Sequence, residues 1–315
     1  MTPPRARKIL VTGAEGFVGS NLVQKLVEEN DVTALDYIIT SRPFNLPDGV
    51  RFVNADLSRP LSARDDLSEL ISMKVPDPDL IIHLATINQL AVDADPSNLT
   101  INTASTLNVL KLARLYDARL VFSSSCSVYG SGTDFKETDP VNPKSLYAVS
   151  KFTEEGIAKF YHDRFDLDVC ILRYSNCYGD MTRIRNKVYP GKEDVIRIFM
   201  TKALNGEPLP LVRGRSRDFT YIDDVIDATC AVLDLEGFHV FNVATGVETY
   251  TDELPSKVGA ALGIPISVTE VQPRSTDDLM RRSLNIDAIS PYWKPKYSLD
   301  RGLELYAEKL KADRI

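Results

Sequence analysis

The chain has 315 residues, enough for a substantial core in one or two closely joined domains. Its formal net charge of -7 argues against broad nucleic-acid binding. The apolar run Ile9-Leu10-Val11 behind Arg5, Arg7 and Lys8 is too short for a signal peptide, and no later segment has the length of a membrane span, so no membrane association is expected.

In chain order, Lys8 to Thr12 reads as a strand and Gly16 to Glu29 as a helix. Val32 to Asp36, Val50 to Val53 and Leu80 to Leu84 read as short strands. Leu99 to Leu115 has helical periodicity and precedes a strand over Leu120 to Ser124. Ser145 to Phe165 reads as a long helix and Asp168 to Tyr174 as another strand. This alternation predicts an α/β fold with a doubly wound parallel sheet. After about Asn176 the pattern loosens, with helices near Val195 to Leu204, Asp224 to Leu235 and Leu254 to Leu262. The expected organisation is residues 1–176 as a dinucleotide-binding domain and 177–315 as a smaller α/β domain, with an interleaved boundary.

Four cysteines, Cys126, Cys170, Cys177 and Cys230, form no CxxC pair, which points to a reducing, cytoplasmic compartment. His83, His162 and His239 lie far apart and form no metal motif; a structural or surface role is expected for each, and no metal.

Gly13-Ala14-Glu15-Gly16-Phe17-Val18-Gly19 joins the first strand to the first helix. Gly13 permits a tight turn, Gly16 lets the backbone approach a pyrophosphate, and Gly19 lets the helix pack on the sheet. Asp36 ends the second strand, where a carboxylate accepts from an adenosine ribose and repels a ribose phosphate, favouring NAD over NADP. Asp56-Leu57 follows the third strand, where an adenine contact would fall; a turn cap is the competing role for Asp56.

Tyr147 and Lys151 stand four residues apart on one helix face. A free phenol has a pKa near ~10, and a neighbouring ammonium lowers it, making the pair a base for a hydroxyl proton. Tyr292 and Lys296 repeat the spacing, but Pro295 between them forbids an ordinary helix.

Together these segments resemble the extended short-chain dehydrogenase/reductase family, in particular its nucleotide-sugar epimerases and dehydratases. The matching stretches run in order from Gly13–Gly19 through His83-Leu84-Ala85, Ser123 to Gly130 and Tyr147–Lys151 to Arg173–Gly179 and Arg217–Val225. The resemblance implies a Rossmann-type sheet with a C-terminal substrate domain, and NAD as cofactor. It implies Tyr147 as acid/base, Lys151 as the residue holding the nicotinamide ribose, and Ser125 as the hydroxyl that bonds the reacting group. It places cofactor contacts at Asp56, Leu57, Leu84, Ala85, Thr86, Asn102, Ser123 and Tyr174, beside Phe17 and Val18 of the turn. It places substrate contacts at Ser125, Cys126, Asn176, Arg217 and Arg274, the two arginines suiting a diphosphate. Ser275-Thr276 replaces the family's Pro-Gly after Arg274. Family members often pair through two long helices, which here are Leu99–Leu115 and Ser145–Phe165, so a homodimer is expected.

The reaction turns on the two residues after Ser125. A 4,6-dehydratase carries an Asp-Glu pair there; this chain has Cys126 and Ser127, neither a carboxylate. Decarboxylases of nucleotide-linked glucuronate often have a glutamate at the second position, and Ser127 departs from that too. A small pair without a carboxylate is what a 4-epimerase tolerates, so the expected activity is epimerisation of a nucleotide sugar, a UDP-sugar first, through a transient 4-keto sugar and NADH. The alternative is a dehydratase with Cys126 in an unusual acid/base role. Arg183, Arg185, Asn186 and Lys187 form a basic loop that either meets a carboxylated sugar or is simply solvated.

Overall fold

The computed structural model describes residues 6–38, 45–59, 77–180, 194–273 and 281–312. Seven strands form one parallel sheet in the spatial order Phe238–Val243, Val169–Tyr174, Arg119–Ser125, Leu80–His83, Lys8–Thr12, Asp31–Asp36, Arg51–Asn54. Lys8–Thr12 pairs with Asp31–Asp36 on one side and with Leu80–His83 on the other. The winding therefore reverses at this strand, and the crevice beyond its C-terminal end is where open parallel sheets bind ligands.

The strands are short and apolar because both faces are covered. Alternate residues feed two cores. Leu10, Ile81, Leu120, Phe122 and Ile171 pack with Val109, Leu110, Leu112 and Ala158 of the long helices Ser97–Tyr116 and Leu146–Phe165. Ile9, Val11, Ile82, Val121 and Leu172 pack with the helices Phe17–Leu26, Val195–Leu204 and Ile222–Ala231.

Helix ends follow local chemistry. Ser145 Oγ accepts the Ala148 N–H at 3.1 Å and starts the helix carrying Tyr147 and Lys151. That helix stops at Asp166, which turns left-handed with φ of 56°. The strands and long helices lie within a few residues of their sequence-predicted bounds. The short helix Gln89–Ala94 and the C-terminal helix Leu299–Ala312 have no counterpart among the sequence-predicted elements. Phe238–Val243 joins the edge of the main sheet although it follows residue 177.

A buried polar cluster binds the long helix to the sheet. Glu155 accepts from Arg173 Nε at 3.0 Å and Nη2 at 2.7 Å, and from Ser124 Oγ at 2.5 Å. Arg173 Nη1 donates to the Tyr129 hydroxyl at 2.7 Å, which donates to Asn242 Oδ1 at 2.8 Å. Burial pushes Tyr129 up to about 12, with Arg173 opposing. Removing one partner of a buried pair leaves the other charge uncompensated. Glu155→Ala is therefore expected to cost about 3–5 kcal/mol in urea-unfolding measurements at neutral pH.

Candidate active site

The glycine turn lies at the switch point. Gly13 has φ of +68°, and a Cβ on it would stand 2.6 Å from the backbone nitrogen of Ala85. A Cβ on Gly19 would collide with the Gly13 carbonyl. The helix Phe17–Leu26 begins at Gly16 with no side-chain cap and no acidic residue in its first turn. A bare helix N-terminus behind so tight a turn fits a pyrophosphate.

Asp36 ends its strand with Oδ2 accepting the Glu15 N–H and Oδ1 accepting the Tyr37 N–H, both at 2.8 Å. Its carboxylate is thereby held against the glycine turn. Asp56 accepts from the Ser58 N–H at 2.9 Å and the Ser58 hydroxyl at 2.5 Å, closing a turn. Burial works against its ionised form, but Ser58 and then Arg59 hold it below the usual carboxylate range. Leu57 is buried, and its carbonyl accepts from Asn108 at 2.9 Å.

The loop over the adjoining strand is pinned from below. The Ala85 N–H donates to Thr12 Oγ1 at 3.3 Å and the Leu84 N–H to the Thr12 carbonyl at 3.1 Å. Asn102 is buried; its Oδ1 accepts the Ile87 N–H at 2.7 Å, and its Nδ2 reaches the Ile87 carbonyl at 3.2 Å and Ser150 Oγ at 3.4 Å. It therefore ties the segment after Thr86 to the long helix.

Tyr147 and Lys151 meet Ser125 at the C-terminal end of Arg119–Ser125. The Ser125 side chain lies close enough to the Tyr147 phenol to favour its ionised form. Ser125 Oγ accepts from the Ser127 N–H at 3.2 Å and from Ser127 Oγ at 2.9 Å. With both acceptances filled by Ser127, the hydroxyl hydrogen of Ser125 is left for a third partner. The Tyr147 N–H donates to Asp93 Oδ1 at 3.3 Å, so the short helix Gln89–Ala94 positions this first turn.

The charge on the phenol differs from the sequence expectation. Burial first, then the Glu154 carboxylate and Cys126, push Tyr147 well above the usual tyrosine range, and the Ser125 hydrogen bond opposes them. The Lys151 ammonium pairs with Glu154 Oε2 at 3.1 Å, both side chains 1% exposed, so the carboxylate offsets its charge beside the phenol. The same Oε2 accepts from Thr106 Oγ1 at 3.1 Å. Since Thr106 gives its one hydrogen to Glu154, His83 Nε2, 3.2 Å away, carries a hydrogen and donates to Thr106. His83 Nδ1 then accepts from Thr12 Oγ1 at 2.7 Å. Burial and then Lys151 hold His83 down to about 3, so it is neutral, in the structural role expected for it. Glu154 was missed in the sequence, although it lies three residues from Lys151 and so on the same helix face.

The substrate-side residues fall in two groups. Cys126 is buried behind Ser125, its sulfur accepting from Arg282 Nη1 at 3.3 Å. Asn176 lies on Asn176–Tyr178 opposite Phe219, with its Nδ2 on the Asp218 carbonyl at 3.1 Å, one residue from Arg217. Arg217 is partly buried, and its Nη1 donates to the Ser216 carbonyl at 2.7 Å. Ser123 is buried mid-strand opposite Leu172. The Tyr174 hydroxyl is engaged with Thr229 Oγ1 at 2.8 Å rather than with the Tyr147 group. Arg274 and the basic stretch from Arg183 to Lys187 lie outside the described residues. All four cysteines are free thiols, the described residues hold no metal-ligating cluster, and no described helix is long and apolar enough to cross a membrane.

Comparison with known proteins agrees with this geometry. Residues 9–244 match the NAD dependent epimerase/dehydratase family. The chain is 36% identical over 308 residues to a putative UDP-glucose 4-epimerase of Methanocaldococcus jannaschii, covering 94% of this chain and 96% of that protein. It is 30% identical to UDP-glucuronic acid decarboxylase 1 of Arabidopsis thaliana, over 94% of this chain and 68% of that protein. The crystal structure of the Thermus thermophilus UDP-glucose 4-epimerase with NAD superposes with a TM-score of 0.84 at 30% identity, over 96% of this chain and 99% of that one. The glycine cradle, the Asp36 carboxylate and the Ser125, Tyr147 and Lys151 side chains thus belong to a chain of the NAD dependent epimerase/dehydratase family, an extended short-chain dehydrogenase/reductase.

Proposed function

We propose that this chain is an NAD-dependent nucleotide-sugar 4-epimerase whose substrate is a UDP-sugar. The observation that carries the reading is the placement of Tyr147 beside Ser125 at the C-terminal end of Arg119–Ser125, with no carboxylate at Cys126 or Ser127 to drive elimination. Bound NAD supplies reversible oxidation at C4 of the sugar. Tyr147 takes the proton from the C4 hydroxyl and later returns it, while Ser125 steadies that oxygen. Lys151 holds the nicotinamide ribose, and Asp36 accepts from the adenosine ribose. Arg217 and Arg274 bind the diphosphate, with Asn176 beside Arg217. Burial of Cys126 against Arg282 supports a packing role for the thiol over the dehydratase alternative.

Residues 177–315 supply most of the nucleotide-sugar lobe in this reading, and the chain pairs as a homodimer through its two long helices. Val149, Phe152 and Phe160 are exposed along one stripe of the helix Leu146–Phe165, and Gly156 between them leaves open space for a close-packed partner helix. Four free thiols suit a cytoplasmic enzyme.

Incubation with NAD and a panel of UDP- and dTDP-sugars in D₂O, read by NMR, tests the activity. The expected product is a C4 epimer with no deuterium at C5. A dehydrated or 4-keto product carrying solvent deuterium overturns it and makes Cys126 a participant in elimination.

A further inference from the structure

Glu154 is a fully buried carboxylate in contact with the lysine of the proposed catalytic pair. It does not bind the cofactor or the sugar in the reading above, and burying a charge is costly unless something is gained from it. Its Oε2 takes both Lys151 and Thr106, each at 3.1 Å, while its Oε1 is buried with no hydrogen-bond partner among the described residues. The carboxylate thus meets the ammonium and the Thr106 hydroxyl through one oxygen.

The groups near enough to act on the Tyr147 phenol come from four elements. Its own helix contributes Lys151, whose Nζ is 6.0 Å from the ring centroid, and Glu154. The strand Arg119–Ser125 contributes Ser125, the turn after it Cys126, and the strand Asn176–Tyr178 contributes Cys177. His83, on Leu80–His83, faces Lys151 and is neutral, and Asp93 faces the backbone N–H of Tyr147. Arg282 stands behind Cys126, with Nη1 3.3 Å from its sulfur; Lys151 is the cation on the helix of Tyr147, and Glu154 is the anion set against it.

We propose that Glu154 is a positioning residue: it fixes Lys151 Nζ and opposes its charge, and so sets the pH at which Tyr147 can act as a base. The proposal rests on Tyr147 being the proton acceptor. It predicts that removing the carboxylate's charge exposes the phenol to an uncompensated ammonium, which favours the phenolate. At ~6 Å even a partly screened unit charge moves a titration by about one pH unit or more.

The test uses full-length protein saturated with NAD, comparing wild type, Glu154→Gln and Thr106→Val. Ionisation of Tyr147 is read as the tyrosinate absorbance difference between each protein and its Tyr147→Phe counterpart as pH is raised. Thr106→Val breaks the same hydrogen-bonded chain without altering charge. The expected result is that the phenol titrates at least about one pH unit lower in Glu154→Gln, with the acid limb of kcat moving the same way, while Thr106→Val titrates with wild type. Titration of Glu154→Gln at the wild-type pH overturns the proposal, as does an equal shift in Thr106→Val, which would mark a structural role. Should Glu154→Gln fail to fold, Lys151→Met/Glu154→Gln removes both charges together and is compared with Lys151→Met; the double variant must titrate below the single. Absorbance needs no turnover, so a protein that epimerises no sugar refutes the epimerase reading and still decides the role of Glu154.

Discussion

Tyr147→Phe is expected to lower kcat for sugar epimerisation by about 10²- to 10⁴-fold, the range that a positioned acid/base contributes. The change removes one oxygen and leaves the surroundings in place. The helix start is held by Ser145 and by Asp93, which bond backbone N–H groups, so the ring stays where it is. NAD affinity and the KM for the UDP-sugar are therefore expected to stay within about threefold, because the lost interaction acts on the transferring proton. Ser125 keeps its bonds from Ser127 and remains available to the substrate hydroxyl, which leaves residual turnover. Steady-state kinetics together with calorimetric NAD titration check the split. Unchanged kcat would remove Tyr147 from the reaction. Lys151 is a less clean target, since its loss strands the buried Glu154 carboxylate and mixes a folding defect into any kinetic one.

The sequence revealed most where one short segment carries the whole physical requirement. The turn from Gly13 to Gly19 is such a segment, because tight backbone approach needs glycine at Gly13 and Gly19. The doubly wound sheet was readable for a similar reason: strands buried on both faces are short apolar runs between helical repeats. The chain was less legible where partners are distant in sequence. Phe238–Val243 pairs with Val169–Tyr174, and nothing local announces that a strand from the second half completes the first sheet. The Thr12–His83–Thr106–Glu154 chain draws on four separate elements, so its members look like ordinary polar residues until the fold assembles them. The Tyr147–Lys151 spacing was legible, but the charge state was not. The spacing shows that the ammonium can reach the phenol, and only the packed structure shows that a carboxylate reaches the ammonium first. Asp56 illustrates the reverse limit: position suggested an adenine contact or a turn cap, and the structure shows the cap, with Oδ1 closing a turn with Ser58.

Gly13→Ala is expected to abolish tight NAD retention, and comparison with Gly263→Ala isolates the reason. Both glycines are left-handed, with φ of +68° and +70°, so an alanine meets a similar backbone penalty of about 1–2 kcal/mol at either site. Their surroundings differ. A Cβ at Gly263 meets nothing within 4 Å, whereas at Gly13 it meets Ala85 N at 2.6 Å and the Leu84 carbonyl carbon at 2.7 Å. These are backbone atoms, and they cannot swing away as a side chain would, because Thr12 and Asn102 hold the loop in place. The strain of about 1–3 kcal/mol from such overpacking is relieved only by moving the turn or the loop, and both belong to the proposed cofactor cradle. NAD affinity should then fall at least about tenfold in Gly13→Ala, each tenfold being about 1.4 kcal/mol. Gly263→Ala should lose a similar increment of stability to its backbone alone and bind NAD as wild type does. Thermal melts and equilibrium dialysis with NAD separate the two effects. Equal NAD affinity in both variants would mean that Gly13 serves the backbone angle alone and that the pyrophosphate lies elsewhere.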